Sequence, residues 1–209
     1  MANARHEAAL IADRLSLTPE DVLVNSTGVI GVQLPMDKVE TGIAGVLDTL
    51  GSGWDDAAEA IMTTDTVPKK ASATLTIGGK TVTLAGIAKG SGMIAPNMAT
   101  MLCYVVTDAA IAAEDLRGAL SQTSQRSFNC VTVDGDMSTN DTIILMANGG
   151  SETGQISDDN LSDFTDALEQ LLINFARKVA RDGEGATKLI TITVNGAKSE
   201  ADGRTVGLS

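Results

Sequence analysis

Two adjacent glycines, Gly78 and Gly79, separate two stretches in which apolar and polar residues alternate, 71–77 and 80–88. Glycine supplies the positive backbone angles of a tight primed turn, and alternation at period two puts every second side chain on one face. The pattern therefore predicts a β-hairpin. An element able to cover that hairpin follows downstream. Ser157-Asp158-Asp159 opens a long helix to about 181, with Leu161, Phe164, Leu168, Leu171, Leu172 and Phe175 on one face.

The remaining pattern alternates helices and strands. Helices are predicted over 5–15, 36–50, 55–62 and 113–126. The second carries Val39, Ile43, Val46, Leu47 and Leu50 at helical spacing, and the fourth has Glu114 and Asp115 in its first turn, where the helix dipole favours acids. Thr18-Pro19-Glu20-Asp21 reads as a cap with Pro in the first turn. Further strands are predicted over 100–107, 131–133, 143–147 and 189–194. There is no repeat, low-complexity tract or linker. The expectation is one α/β (α+β) domain over 1–209, with its strands in one or two sheets packed against helices 36–50, 113–126 and 158–181.

Composition narrows the function. Fifteen Lys+Arg against 27 Asp+Glu give a formal net charge of −12. That balance argues against nucleic acid and against anionic lipid, both of which need clustered cations. No apolar run is long enough to span a membrane, and the N-terminal stretch lacks the apolar core of a secretory signal. The expected location is the cytoplasm. Aromatic residues make up only 2% of the chain, so stacking platforms for bases or sugars are not expected. Cys103 and Cys130 read as two buried thiols. With two Cys and one His, His6, four metal ligands cannot be assembled from these types at these spacings. His6 reads as a solvated residue of the first helix, which leaves no histidine for an ordinary catalytic triad.

Polar, glycine-bearing segments at 25–31, 63–69, 89–100 and 182–188, and an Asp-rich one at 134–142, are where a site would be built. Asp134, Asp136, Ser138 and Asn140 have the odd spacing of a calcium loop. Thr139 stands where that loop needs Gly, however, and Leu145 where it needs Glu, so the stretch reads as a turn whose side chains cap their own backbone, with a further role in shaping a site left open. Gly90-Ser-Gly92-Met-Ile-Ala95 imitates a dinucleotide fingerprint but leads into Pro96 and a strand rather than a helix. Thr100, at the junction of loop and strand, reads either as an ordinary strand residue or as a nucleophile. A threonine without histidine becomes a nucleophile when it is itself a chain terminus and its α-amine takes the proton. That amine titrates near 7.7–8.0. Such a role requires cleavage after Ala99, by attack of the same hydroxyl on the Ala99 carbonyl.

Five stretches carry a resemblance. Lys89-Gly-Ser-Gly-Met-Ile-Ala-Pro-Asn-Met-Ala-Thr-Met-Leu102 resembles the self-cleavage segment of the ornithine acetyltransferase family, the bifunctional glutamate/ornithine N-acetyltransferases of arginine biosynthesis. Ser26-Thr-Gly-Val-Ile-Gly31, Ala60-Ile-Met-Thr-Thr-Asp-Thr66 with Pro68-Lys69, Val131-Thr-Val-Asp-Gly-Asp-Met-Ser-Thr-Asn-Asp-Thr142 and Arg181-Asp-Gly-Glu-Gly-Ala-Thr-Lys188 are similar to it in the same order.

The resemblance implies a four-layer αββα sandwich of the N-terminal-nucleophile type and self-cleavage between Ala99 and Thr100. Thr100 then carries the acetyl group, and Thr27 and Gly28 stabilise the oxyanion near it. Thr63, Lys89, Thr100 and Glu184 bind substrate, Lys89 suiting a carboxylate and Glu184 an ammonium. Without the resemblance, Lys89 reads as a surface lysine and Glu184 as a solvated loop acid. The implied reaction moves acetyl from N-acetylornithine to glutamate with no cofactor, acetyl-CoA being a possible second donor. The implied assembly is an α2β2 heterotetramer of the two cleaved chains. Family members are about twice this length, so the chain is expected to begin inside the family's first subunit. Two further substrate-binding positions, an Asn and a Ser or Thr, are expected beyond residue 209. A non-catalytic remnant and an N-terminal-nucleophile amidase or aminopeptidase are the alternatives.

Overall fold

The computed structural model describes residues 1–51, 53–95 and 101–209, which form two compact units, Met1–Trp54 and Asp55–Ser209.

In the first unit, α1 (Ala2–Leu15) pairs with α2 (Met36–Leu47). Their facing polar residues are matched: His6 Nε2 lies 2.8 Å from Glu40 Oε1, and Arg14 pairs with Asp48. His6 is exposed, as expected, though it has this partner. α2 stops at Leu47, short of the predicted 50, and leaves Val46 and Leu50 exposed while Val39, Ile43 and Leu47 are half-buried. The predicted cap at Thr18 closes a single 3-10 turn, Pro19–Asp21, in which the Thr18 N–H and hydroxyl both donate to Asp21 Oδ2, at 3.1 and 2.8 Å.

The second unit opens with α3 (Trp54–Ala60), whose first residue closes the preceding unit. The predicted hairpin follows as β1 (Lys69–Ile77) and β2 (Lys80–Lys89), with Gly78 and Gly79 at φ 57° and 78°. β3 (Leu102–Thr107) joins β2 antiparallel. The chain then crosses through α4 (Ala113–Arg126) to β4 (Thr142–Ala147), which lies parallel to β3. The sheet order is β1-β2-β3-β4. Parallel neighbours need such a crossover, and a helix supplies it.

α5 (Asp158–Arg181) packs on β1 and β2 with α4 beside it. Phe164, Leu168, Leu171, Leu172 and Phe175 are buried, as the periodicity predicts. They meet Val82, Leu84, Ala88, Cys103 and Val105 of the sheet in one core. Gly86 of β2 is the close-approach point. A Cβ there would lie 2.5 Å from the Tyr104 carbonyl oxygen and 3.3 Å from Phe175 Cε2. No described helix is long and apolar enough to cross a membrane.

Three sequence expectations need correction. Residues 131–133 form no strand: they follow a 3-10 turn, Phe128–Cys130, and the Val133 N–H reaches a single outside acceptor, the Ile94 carbonyl, at 2.9 Å. Residues 189–194 are also not a strand. Leu189, Ile190 and Ile192 are exposed, and no described strand pairs with them, so the alternation has no ladder to act on. Cys130 is exposed rather than buried, whereas Cys103 is buried and its thiol is pushed up by that burial. A last helix, α6 (Glu200–Leu208), is capped by Ser199 Oγ, which accepts from the Asp202 N–H at 3.1 Å; Gly203 and Gly207 hide it from propensity. The structure thus has mixed α/β architecture with one four-stranded sheet among the described residues.

Gly86→Ala is expected to destabilise the protein by about 1–3 kcal/mol in urea unfolding. Adding Phe175→Ala should not restore the loss, because the nearer obstacle is main chain.

Candidate functional site

The site is organised around a buried cation. Lys69 begins β1, its alternation points inward, and it is fully buried. Its Nζ lies 2.6 Å from Asp65 Oδ1 and 2.6 Å from Asp182 Oδ2. Asp65 Oδ1 also accepts from the Gly90 N–H at 2.7 Å, and its Oδ2 from the Thr63 N–H at 3.2 Å. Asp182 accepts from both the N–H and the hydroxyl of Thr66. Burial pushes both carboxyls up, but Lys69 and these donors outweigh it and hold both below the usual carboxylate range. Through Asp65 and Asp182, one ammonium thus ties together parts of three of the polar segments, 63–69, 89–100 and 182–188.

Those segments, joined by the Asp134 loop, line a cavity of about 330 Å³. Thr63 and Thr64 come from the first segment, Lys89, Ser91, Gly92 and Met93 from the end of β2 onward, Asp134 and Asp136 from the Asp-rich loop, and Glu184 from the segment after α5. Ser91 links two walls. Its hydroxyl donates to the Asp182 carbonyl at 2.8 Å, and its own carbonyl accepts from the Glu184 N–H at 2.7 Å. The Glu184 carboxylate lies over Gly92, where a Cβ would stand 2.6 Å from Oε1. Met93 is held at φ 56°, with its N–H donating to Asp134 Oδ2 at 2.6 Å and the Ile94 N–H to Oδ1 at 2.9 Å. Burial pushes the Asp134 carboxyl up, but the Ile94, Met93 and Asp136 amides outweigh it and leave it lowered. The Asp-rich loop therefore caps its own backbone, as expected, and also braces the 91–94 turn. No described group of three or more acids, His or Cys is placed to hold a metal ion.

Lys89 is not a surface residue: it is only 1% exposed. Its Nζ makes no hydrogen bond or ion pair among the described residues. Burial lowers its pKa, partly offset by Asp65 and Asp141, while Lys69 pushes the same way as burial. The cavity thus combines a buried amine with the carboxyls of Asp134, Asp136 and Glu184.

Beside it, the chain enters β3 under a separate constraint. The Thr142 N–H donates to the Met101 carbonyl at 3.1 Å, and the Met101 N–H donates to Asp141 Oδ1 at 2.8 Å. Burial pushes the Asp141 carboxyl up to about 6, against the opposing pull of the Met101 amide and the Lys89 charge. Asp141 Oδ2 is buried and has no hydrogen-bond partner among the described residues.

Of the residues singled out in the sequence, Thr63, Lys89 and Glu184 line this one cavity. Thr27 is half-buried and Gly28 exposed in the first unit. Ala99 and Thr100 lie outside the described residues, and with them the expected cleavage site and the convergence on Thr27 and Gly28. Sequence reasoning missed Ser91, Lys69, Asp65 and Asp182. The available signal was a charged residue at an inward position of the hairpin, Lys69, flanked by acids in two segments already marked as polar.

The family model for ArgJ matches residues 1–209. The chain belongs to the ArgJ family. It is similar to the arginine biosynthesis bifunctional protein ArgJ of Symbiobacterium thermophilum, at 54% identity over 98% of this chain and 52% of that protein. The protein of the same name from Geobacter sulfurreducens is 48% identical over 100% of this chain and 54% of its own length. The chain spans about half the length of these ArgJ relatives. A crystal structure of the arginine biosynthesis bifunctional protein ArgJ from Bacillus halodurans matches with 45% identity and a TM-score of 0.42, over 43% of each chain.

Two variants probe this region. Lys69→Met should destabilise by about 3–5 kcal/mol, because Asp65 and Asp182 are left buried without their cation. Asp141 carries a pKa raised on folding, so its contribution to stability is full below about pH 4 and is lost as pH rises through 6. Relative to Asp141→Asn, the wild type should lose about 2 kcal/mol across that window, read from urea unfolding at several pH values.

Proposed function

We propose that this ArgJ-family chain is an acetyltransferase of arginine biosynthesis that moves acetyl from N-acetylornithine to glutamate through an acetylated Thr100. The observation that supports the reading best is the cavity itself, whose wall holds a buried Lys89 together with Glu184, Asp134 and Asp136. A free amino acid carries both a carboxylate and an ammonium. Lys89 suits the first and Glu184 the second, with the Thr63 hydroxyl as a neutral contact. The names of the relatives, bifunctional proteins of arginine biosynthesis, support the substrate class.

On this reading the chemistry has two stages. First, the Thr100 hydroxyl attacks the Ala99 carbonyl, the Ala99–Thr100 C–N bond breaks, and the hydroxyl proton passes to the departing amine. Water then hydrolyses the resulting ester and leaves Thr100 with a free α-amine. Second, that amine takes the proton as the Thr100 oxygen attacks the acetyl carbonyl of N-acetylornithine, and returns it to the departing ornithine amine. The glutamate amine attacks the acetyl-threonine ester in turn and restores the hydroxyl. Thr27 and Gly28 supply the oxyanion donors, a role worth roughly 3–4 kcal/mol per donor. No cofactor is needed, acetyl-CoA is an alternative donor, and the two cleaved chains assemble as an α2β2 heterotetramer in the cytoplasm.

Wild type should separate on a denaturing gel into residues 1–99 and 100–209. Incubation with N-acetylornithine should add about 42 Da, one acetyl replacing hydrogen, to the fragment that begins at Thr100. Thr100→Ala should abolish both events, while Thr100→Ser keeps part of each, since only serine supplies another hydroxyl. A wild-type chain that stays whole and takes up no acetyl removes the proposal.

A further inference from the structure

We propose that Asp141 is a positioning residue for self-cleavage, its carboxylate setting the main chain at Met101 on the C-terminal side of the Ala99–Thr100 bond; this rests on the acetyltransferase reading above. Met101 is the residue that follows the proposed nucleophile, and it is 3% exposed. The parallel ladder between β3 and β4 begins one residue later, at Leu102 opposite Thr142. Asp141 Oδ1 supplies the acceptor for the Met101 N–H at 2.8 Å, while the Thr142 N–H takes the Met101 carbonyl at 3.1 Å. Two consecutive residues, Asp141 and Thr142, therefore grip both polar groups of Met101.

The form of this grip points to function rather than to folding. Asp141 is only 8% exposed, and its second oxygen has no hydrogen-bond partner among the described residues. Its one described hydrogen bond is the one to Met101. The charge acting on it is that of Lys89 at the end of β2, with Asp65 and Lys69 acting in turn on Lys89. A buried anion with one oxygen unsatisfied costs stability. Selection for stability alone would replace it. A nucleophile that must meet a carbonyl in its own chain depends on alignment, and small displacements of reacting groups reduce rates by orders of magnitude.

The test is the rate at which the new N-terminus at Thr100 appears, followed by mass spectrometry, in wild type, Asp141→Asn and Asp141→Ala. Asn keeps an acceptor at this position and Ala keeps none. Asp141→Ala should therefore cleave at least about tenfold more slowly than wild type, with Asp141→Asn between them. The Met101 amide should exchange with solvent at least about tenfold faster in Asp141→Ala than in wild type. A structural role predicts that slower cleavage accompanies lower stability, whereas here the unfolding midpoint at pH 7 should not fall in Asp141→Asn. If Asp141→Ala fails to fold, slower cleavage by a stable Asp141→Asn supports the assignment and a wild-type rate overturns it. Equal rates in wild type and a folded Asp141→Ala, or unchanged Met101 exchange, overturn the role of Asp141 alone. A wild type that never cleaves overturns the acetyltransferase reading, and this role with it.

Discussion

The site depends on burying the Lys69 ammonium. An isolated cation of this kind in a protein interior is prohibitively expensive, and the structure tolerates it because two carboxylates each come within 2.6 Å. Those carboxylates lie in segments far apart in the chain, so satisfying one charge brings residues 63–69 and 182–184 to the same place. The remaining oxygens of Asp65 and Asp182 are taken by the Thr63 N–H and the Thr66 hydroxyl. Apolar residues could pack as tightly, but they would not dictate which loop meets which.

Around that anchor, the cavity brings a cation together with three acids, Lys89 with Asp134, Asp136 and Glu184. In a chain with formal net charge −12, Lys89 is buried in the cavity wall with Asp65 and Asp141 as the acids acting on it. Gly92 leaves room for the Glu184 carboxylate, and next to it the non-glycine Met93 holds a positive φ of 56° at some cost, braced by Asp134. In Asp141 and Met101 the same principle recurs on a smaller scale: an acidic side chain replaces a ladder hydrogen bond at the place where a sheet ends.

Much of the fold was legible because local pattern and tertiary packing agree. The hairpin at Gly78-Gly79 and helices α4 and α5 are where period and turn chemistry put them. The failures have one cause. Residues 131–133 and 189–194 have strand-like composition, but a strand exists only when another edge supplies its hydrogen bonds, and no described edge does. α6 was missed for the converse reason: its cap, Ser199, is a strong signal, but two glycines inside the helix mask it.

From the sequence alone came the family and most of the elements, because these follow from motifs and from periodicity, which are properties of neighbours along a chain. Lys89 shows where that stops. The sequence reads it as a surface lysine unless a resemblance intervenes, and nothing in its neighbours signals that it is buried. Its burial, the pairing of Lys69 with Asp182 across 113 residues, and the grip of Asp141 on Met101 were decided only by the tertiary structure. Burial and electrostatic partnership are set by what lies across space, and a side chain's neighbours in sequence do not determine that.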